Sequence, residues 1–403
     1  MTNNFDEELT VTLRERAGAV PPRPDLAGAA IRQAHGIRRR RRIAGGVAAA
    51  ALVAVAVPLG LQAGDSLRGA PPPPATQLPD QKPDDRDDEV EITPSQVTVQ
   101  LPDLPAGDPP DVPYVDGSRL FIDGDTIDLG IDPERLGQVA YAGGTAYFAT
   151  NDEGKLTLQS VPGEGEGTPV DGGPWSSPDQ RYVAYLADGT LTVEDPEAGT
   201  TSTLDVGTAD YLQSLTFVGE ELFLVAGNRA ALMRWTIGEP EATSVDAVER
   251  ATAVSPDGGL VADQYKVDDL TAEACTRVTS PDTGERLFET CEFRVLGFSP
   301  DGRYAWGAKA YADAEDTFNV VLDTATGEVI MQVEGPDPNQ ADAQLLFRGT
   351  EFESDTSLLI AMEQGKNAAL VRCDLANGSC ERATELADGV VPFEGDSPYR
   401  LLS

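Results

Sequence analysis

Short runs in which apolar and polar residues alternate recur about every 40 residues beyond position 112. The clearest run is FSPDGRYAWG at residues 298–307, and good copies begin at Ser176 and Val254. Weaker copies keep the apolar positions and begin at Tyr114, Tyr141, Phe217, Phe347 and Phe393. Alternation with a period of two predicts strands, and Ser-Pro-Asp-Gly ahead of a strand suits a type I turn. Strand-forming repeats of this length predict an all-β fold, a β-propeller over residues 112–403.

Each repeat continues into a second pair of β-forming segments around an Asp-rich corner that is followed by Gly. The clearest of these pairs lie at residues 191–206, 275–291, 319–334 and 369–386. This is the chemistry of β-hairpins, so each repeat holds four strands, the content of one propeller blade. We expect no helix longer than a turn or two in this domain.

Eight copies of the repeat are visible. The first begins unusually close to the second, and the last stops at Ser403. An open sheet edge invites aggregation, and a ring closes most simply when the two chain ends share one blade. We therefore predict seven blades, with residues 389–403 completing the blade that begins near residue 112. Six and eight blades are the alternatives.

An uncharged apolar segment at residues 43–61 directly follows five consecutive Arg residues at 38–42. At about 1.5 Å per residue, a helix of this length nearly spans a bilayer core of about 30 Å. We predict a transmembrane helix at residues 43–62, with the N-terminus in the cytoplasm because the basic run lies on that side. The alternative is a cleaved signal peptide that ends near Ala63 and releases a secreted propeller.

The segments on either side of this helix are polar. Residues 1–42 form a short cytoplasmic tail in which Phe5, Leu9 and Leu13 would share one helical face, as in a docking peptide; a solvated tail is the alternative. Residues 63–111 are rich in Pro, Asp and Glu. Such a composition predicts a disordered, extended linker that holds the propeller away from the bilayer.

Acidic residues dominate the chain, with 68 Asp and Glu against 30 Lys and Arg and a formal net charge of -38. Since the tail is basic, the excess lies beyond the apolar segment. So strong a negative field disfavours nucleic acid and anionic lipid, and favours cations or basic partners. The alternative is a generally acidic proteome or a salty habitat, in which the charge serves no particular partner.

Four cysteines follow the apolar segment, at Cys275, Cys291, Cys373 and Cys380. Facing residues of an antiparallel hairpin lie within disulfide range. When each hairpin folds back at its corner, Cys275 lies opposite Cys291 and Cys373 lies opposite Cys380. We predict two local disulfides, as expected outside the cytoplasm.

Candidate chemistry is scarce. The single histidine, His35, precedes the apolar segment, so the propeller lacks an imidazole base or ligand. We predict no catalytic residue, no cofactor site and no metal site. Asp123, Asp125 and Asp128 could touch a calcium ion, but Ile127 stands where an EF-hand needs a ligand, which favours a polar hairpin turn.

The SPDG repeats resemble the WD40-like, TolB-type propeller repeats, in which this tetrapeptide opens each blade. The layout of short tail, Arg cluster, Ala-rich apolar segment and acidic propeller resembles actinobacterial single-pass membrane proteins, and it is similar to some membrane-bound anti-sigma factors. That resemblance implies a cytoplasmic partner for the tail, such as a sigma factor.

These features predict a membrane-anchored, extracytoplasmic propeller that acts as a non-enzymatic binding module for an envelope ligand or protein, possessing a tail able to signal. The alternative is an envelope hydrolase or lyase that uses clustered carboxylates in the propeller channel.

Overall fold

The computed structural model describes residues 92–402 except 153, 164–166, 208–211, 227–230, 247, 249, 269–272, 311–317, 337–344 and 389–396. The predicted tail (1–42), transmembrane helix (43–62) and first part of the linker (63–91) lie outside the described residues. The helices among the described residues are single 3-10 turns, Leu101–Asp103 and Pro133–Arg135. Neither could cross a membrane.

Thirty strands make up the described fold. In chain order they are β1 Ser95–Thr98, β2 Tyr114–Asp116, β3 Arg119–Ile122, β4 Asp125–Asp128, β5 Leu136–Ala142, β6 Thr145–Asp152, β7 Lys155–Val161, β8 Thr168–Val170, β9 Gly172–Ser176, β10 Val183–Ala187, β11 Thr190–Asp195, β12 Thr200–Asp205, β13 Leu212–Val218, β14 Glu221–Ala226, β15 Ala231–Thr236, β16 Thr243–Ser244, β17 Ala251–Val254, β18 Val261–Asp268, β19 Glu273–Thr279, β20 Arg286–Thr290, β21 Phe293–Phe298, β22 Tyr304–Lys309, β23 Phe318–Asp323, β24 Val329–Glu334, β25 Leu345–Ser354, β26 Ser357–Gln364, β27 Asn367–Asp374, β28 Ser379–Arg382, β29 Ala387–Asp388 and β30 Tyr399–Leu401.

The strands form seven antiparallel sheets, which are the blades of a propeller. Blade 1 has the order β30-β2-β3-β4, and blades 2 to 5 take β5–β8, β9–β12, β13–β16 and β17–β20 in sequence. Blade 6 is β21–β24 with β1 added in parallel at its outer edge, and blade 7 is β25–β28 with β29 paired to β27. The all-β propeller and its seven blades are therefore confirmed.

The ring closes within blade 1, where the C-terminal strand β30 pairs with β2. Tyr399 lies opposite Asp116, and Leu401 lies opposite Tyr114. The expectation that the two ends of the domain share one blade is confirmed. The repeat copy at Tyr114 is thus the second and third strands of its blade, which explains its cramped spacing from the next copy.

Each SPDG sequence forms the turn between the first and second strands of its blade. In blade 6 the Gly302 N–H donates to the Ser299 carbonyl oxygen at 2.9 Å, as a type I turn requires. The Ser299 hydroxyl donates to Asp301 Oδ1 at 2.6 Å and accepts from the Tyr304 N–H at 3.0 Å. The same contacts recur at Ser177 in blade 3 and Ser255 in blade 5. The tetrapeptide therefore locks the turn through side chain and backbone together.

One copy of this turn has a residue with an unfavourable backbone conformation. Gln180 has a φ of 58° where the other two turns have Gly258 and Gly302. A left-handed conformation costs a non-glycine residue about 1–2 kcal/mol. Glycine avoids this cost but loses more chain entropy on folding, so the net gain from glycine is smaller. We expect Gln180→Gly to raise the free energy of unfolding by about 0.5–1 kcal/mol, measured by urea denaturation.

The reverse change serves as the control for this prediction. Gly302 has a φ of 71°, and the nearest atom to a Cβ placed on it would be Leu260 Cδ1, at 3.8 Å. Gly302→Ala therefore adds strain without a clash, and a loss of about 1 kcal/mol is expected. Equal stability of wild type and both variants would contradict the account of the turn.

The four hairpins predicted from their Asp-rich corners are all present as third and fourth strands of blades. In the hairpin of blade 6, Gly327 has a φ of 74° and its N–H donates to the Asp323 carbonyl oxygen at 2.8 Å. Two of these hairpins carry the disulfides Cys275–Cys291 and Cys373–Cys380. The predicted pairing is therefore confirmed.

Seven apolar clusters fill the interfaces between neighbouring blades. The interface of blades 3 and 4, for example, buries Leu191, Phe217 and Trp235. The interface of blades 7 and 1 buries Leu370 with Tyr399. Because each blade packs on both neighbours, the hydrophobic core is a ring and its centre is left for a channel.

The C-terminal part of the predicted linker packs against the propeller instead of extending away from it. Residues 92–111, which we call the strap, run along the outer edge of blade 6 and then over blade 7. Val99 and Leu101 are fully buried in the cluster between these two blades. The Leu101 N–H donates to Gln364 Oε1 at 2.7 Å. The alternating apolar residues at positions 97, 99 and 101 outweigh the surrounding Pro and Asp because blades 6 and 7 bury them.

Candidate functional site: the cup of the central channel

A cavity of about 530 Å³ opens at the end of the central channel where the SPDG turns lie, and residues of all seven blades line it. We call this cavity the cup. Blade 1 contributes Val112, Pro113 and Leu402, and blade 2 contributes Tyr141. The rest comes from blades 3 to 7 as Ser176, Ser177, Pro178, Gln180, Ser214, Thr216, Thr252, Ala253, Val254, Pro256, Leu296, Gly297, Phe298, Pro300, Trp306, Glu351 and Phe352.

The wall of the cup is mainly apolar and partly aromatic. Tyr141, Trp306 and Phe352 are each partly exposed, so their rings are available to a bound group. Hydroxyl groups of Ser and Thr add a few polar positions, and some of them are already engaged. Thr252 Oγ1, for example, donates to the Val295 carbonyl oxygen at 2.7 Å. An apolar concavity with a few polar groups is the usual form of a ligand pocket.

Trp306 holds its place in the wall because position 297 has no side chain. A Cβ at Gly297 would lie 2.2 Å from Trp306 Nε1 and 2.9 Å from its Cδ1. Such distances are far inside van der Waals contact, so any larger residue must displace the indole. The glycine in the innermost strand of blade 6 therefore shapes the cup.

We expect Gly297→Ala to move Trp306 and to destabilise the protein by about 1–3 kcal/mol. The movement should change tryptophan fluorescence emission, to which Trp175, Trp235 and Trp306 contribute. Gly349→Ala in blade 7 is the matched control, since the nearest atom to its Cβ is Leu401 Cδ1 at 3.9 Å. Unchanged emission in Gly297→Ala would contradict the packing described for Trp306.

Glu351, on the innermost strand of blade 7, supplies the one carboxyl group among the described residues that line the cup. Within the described part of the chain no hydrogen bond or ion pair engages its side chain. Burial, reinforced by repulsion from Glu353, raises the pKa of Glu351 to about 8. Glu351 is partly exposed within the cup, and the burial of its carboxyl group disfavours the charged form.

A second cavity, of about 730 Å³, lies at the other side of Glu351 and includes Arg348 and Arg400. Both guanidinium groups have partners elsewhere. Arg348 Nε donates to Glu363 Oε2 at 3.0 Å, and Arg400 donates to backbone carbonyl oxygens, including that of Gly137 at 3.1 Å. Glu351 thus stands where two cavities meet and is paired with neither arginine.

Glu353, two residues along the same strand, has the opposite environment. Its side chain is 4% exposed and pairs with Arg372 of β27. Burial alone would raise the pKa of Glu353, but the hydrogen bonds from Arg372 and from the Asp111 N–H outweigh burial and lower it. Arg372 also bonds Glu381 at 3.0 Å and the strap carbonyl oxygens of Asp108 and Pro109 at 3.1 and 2.9 Å. This cluster joins blade 7 to the strap.

The residues singled out from the sequence lie away from the cup. The four cysteines are in outer hairpins. Asp123 and Gly124 form the turn of the β3–β4 hairpin, with φ values of 50° and 82°. Asp128 Oδ1 accepts from the Gly130 N–H at 2.9 Å, and no group of three or more possible metal ligands occurs among the described residues. Asp123 and Gly124 therefore lie in a hairpin turn, as predicted.

The cup and Glu351 were not predicted from the sequence. The hydrolase or lyase alternative expected clustered carboxylates at a channel mouth. The described lining of the cup holds a single one. The sequence gives one clue to Glu351. It lies on the first strand of a repeat, and the first strand of a blade faces the channel. Nothing else distinguishes it among so many acidic residues.

Comparison with known proteins assigns no family to this chain. No family model and no curated protein matches the chain. Solved propellers match it at low identity. The β-propeller domain of the Trilobed protease from Pyrococcus furiosus is 12% identical over 62% of this chain and 84% of its own, with a TM-score of 0.44. A TolB structure from Agrobacterium tumefaciens is 15% identical over 61% of this chain and 94% of its own, with a TM-score of 0.40. The Swd1 propeller domain of Myceliophteria thermophila is 13% identical over 64% of this chain and 87% of its own, with a TM-score of 0.43.

Proposed function

We propose that this protein is a membrane-anchored, extracytoplasmic propeller that binds an envelope ligand in the cup and performs no reaction on it. The observation that carries the proposal is the cup itself, an apolar and aromatic concavity to which every blade contributes. Its described lining has one carboxyl group, and the Ser177 hydroxyl is engaged by its own turn, donating to Asp179 and accepting from the Tyr182 N–H, so the chemistry of the cup suits binding.

The membrane anchor in this proposal rests on the apolar segment at 43–62 and the Arg cluster before it. The disulfides Cys275–Cys291 and Cys373–Cys380 support an oxidising compartment for the propeller. The tail at residues 1–42 would carry the signal of ligand binding to a cytoplasmic partner, with a sigma factor as the candidate that the layout suggests. Deleting residues 5–13 should then alter transcription without altering ligand binding.

Site-specific photocrosslinking in living cells tests the proposed binding site. A photoreactive phenylalanine analogue replaces Trp306 in the cup, and in a second variant it replaces Thr203, an exposed residue of the outer strand β12. We expect discrete adducts from position 306 that are absent from position 203, identified by mass spectrometry. Identical adduct patterns from both positions, or none from position 306, would overturn the proposal.

A further inference from the structure

Among the described residues that line the cup, Glu351 has a carboxyl group without a counter-ion. Glu351 shares the lining of the cup with apolar and aromatic residues, and no described side chain bonds its carboxyl group. A carboxylate in such a place is unfavourable without a positive partner, because protein atoms replace its hydration shell. The site is therefore suited to an external cation, which would supply the positive charge.

The described charged groups on neighbouring elements do not fill this role. On β25 itself, Arg348 pairs with Glu363 of β26, while Glu353 is engaged by Arg372. Arg400 of β30 is held by backbone carbonyl oxygens.

The other charged or titratable residues on the strands and turns around Glu351 do not supply a positive charge to it either. Arg294 of β21 takes part in other interactions, and Glu134 is an exposed residue at the rim of the second cavity. Of the ring hydroxyl groups, Tyr141 lines the cup and that of Tyr399 donates to the Glu385 carbonyl oxygen at 2.8 Å. The charge that acts on Glu351 is that of Glu353, which is repulsive.

From this arrangement we propose that the cup binds an organic cation, an ammonium or guanidinium group on an apolar body, with Glu351 as its counter-ion. The inference rests on the proposed function and names the chemical class of its ligand. The apolar body would occupy the wall formed by Leu296, Phe352 and Leu402, and the positive group would reach the carboxylate.

Two features favour an organic cation over a metal ion. Calcium needs six to eight oxygen ligands and magnesium six, whereas the described lining offers one carboxylate. The rings of Tyr141, Trp306 and Phe352 suit a cation that carries carbon, since aromatic faces attract ammonium and guanidinium groups. The strongly acidic composition beyond the apolar segment would draw such ligands towards the domain.

Binding is expected to release a proton. The Glu351 carboxyl group is largely protonated at pH 7, because its pKa lies near 8. The cation favours the ionised form, so affinity for a ligand that stays protonated should rise about tenfold per pH unit from pH 6 to about 8 and level off above. An uncharged ligand should show no such rise.

The test compares 4-phenylbutylamine with its neutral analogue 4-phenylbutanol, by calorimetric titration of the full-length protein in detergent micelles. At pH 8 we expect the wild type to bind the amine at least about tenfold more tightly than the alcohol. Glu351→Gln should bind both alike and lose the pH dependence. Glu241→Gln, at an exposed position, should behave as the wild type. The preference within the wild type keeps the test valid even where Glu351→Gln folds poorly.

The outcomes separate this inference from the proposed function. Equal affinity of the wild type for amine and alcohol would overturn the role of Glu351 as counter-ion and leave the cup as a binding site. Binding of neither probe, with photocrosslinks still formed at position 306, would overturn the ligand class alone. Binding of neither probe and no crosslinks at position 306 would overturn both.

Discussion

Arg372→Ala is expected to destabilise the propeller by about 3–5 kcal/mol. The change leaves Glu353 buried without its cation, two residues from Glu351, and it removes the bonds to the strap carbonyl oxygens of Asp108 and Pro109. Urea denaturation should show the loss, and limited proteolysis should show faster cleavage within residues 92–111.

Arg286→Ala provides the comparison for this effect. Arg286 pairs with Glu289 at 2.7 Å, but their side chains are 58% and 43% exposed. An exposed pair contributes only about 0–1 kcal/mol. If Arg372→Ala cost no more than Arg286→Ala and left the strap protected, the cluster would not be the joint described above.

Glu351→Gln is expected to change how stability depends on pH. The folded protein keeps a proton on Glu351 up to about pH 8, whereas an unfolded chain releases it near 4.5. Between these values the folded state binds more protons, so wild-type stability falls as the pH rises. The slope is up to about 1.4 kcal/mol per pH unit, and up to about 4 kcal/mol over the whole window. The glutamine variant should lack this fall and be the more stable protein at pH 8.

Denaturation curves at pH 5, 6, 7 and 8 measure the difference between the two proteins. Glu241→Gln, which alters an exposed carboxylate instead, should follow the wild type at every pH. Parallel curves for the wild type and Glu351→Gln would mean that this carboxyl group is not held in its protonated form by the channel.

The architecture could be predicted because it repeats. Alternation of period two, the SPDG turns and the Asp-Gly corners each recur, so an error in one blade is corrected by the others. Seven blades follow from the closure argument, which β30 and β2 bear out. The disulfides were predictable because hairpin geometry alone brings Cys373 opposite Cys380.

The strap and the cup could not be predicted in the same way. β1 pairs in parallel with β24, more than 230 residues later in the chain, and no local pattern reports such a partner. Its surroundings of Pro, Asp and Glu indicate disorder, and the apolar residues that contradict this, among them Val99 and Leu101, occupy too short a stretch to stand out. The cup depends on seven strands meeting at one axis, so its residues are neighbours only after the ring has closed.

Labelling with a membrane-impermeant maleimide tests most directly the central claim, a ligand-binding propeller on the outer side of the membrane. Cysteine replaces Thr203 on the exposed outer strand β12 in one variant and Ser214 in the cup in another. We predict that intact cells label position 203 rapidly and position 214 slowly, and that the purified, ligand-free protein labels position 214 faster than cells do. Labelling of position 203 only after cell lysis would contradict the outer location, and equal labelling of position 214 in cells and in the purified protein would contradict an occupied cup.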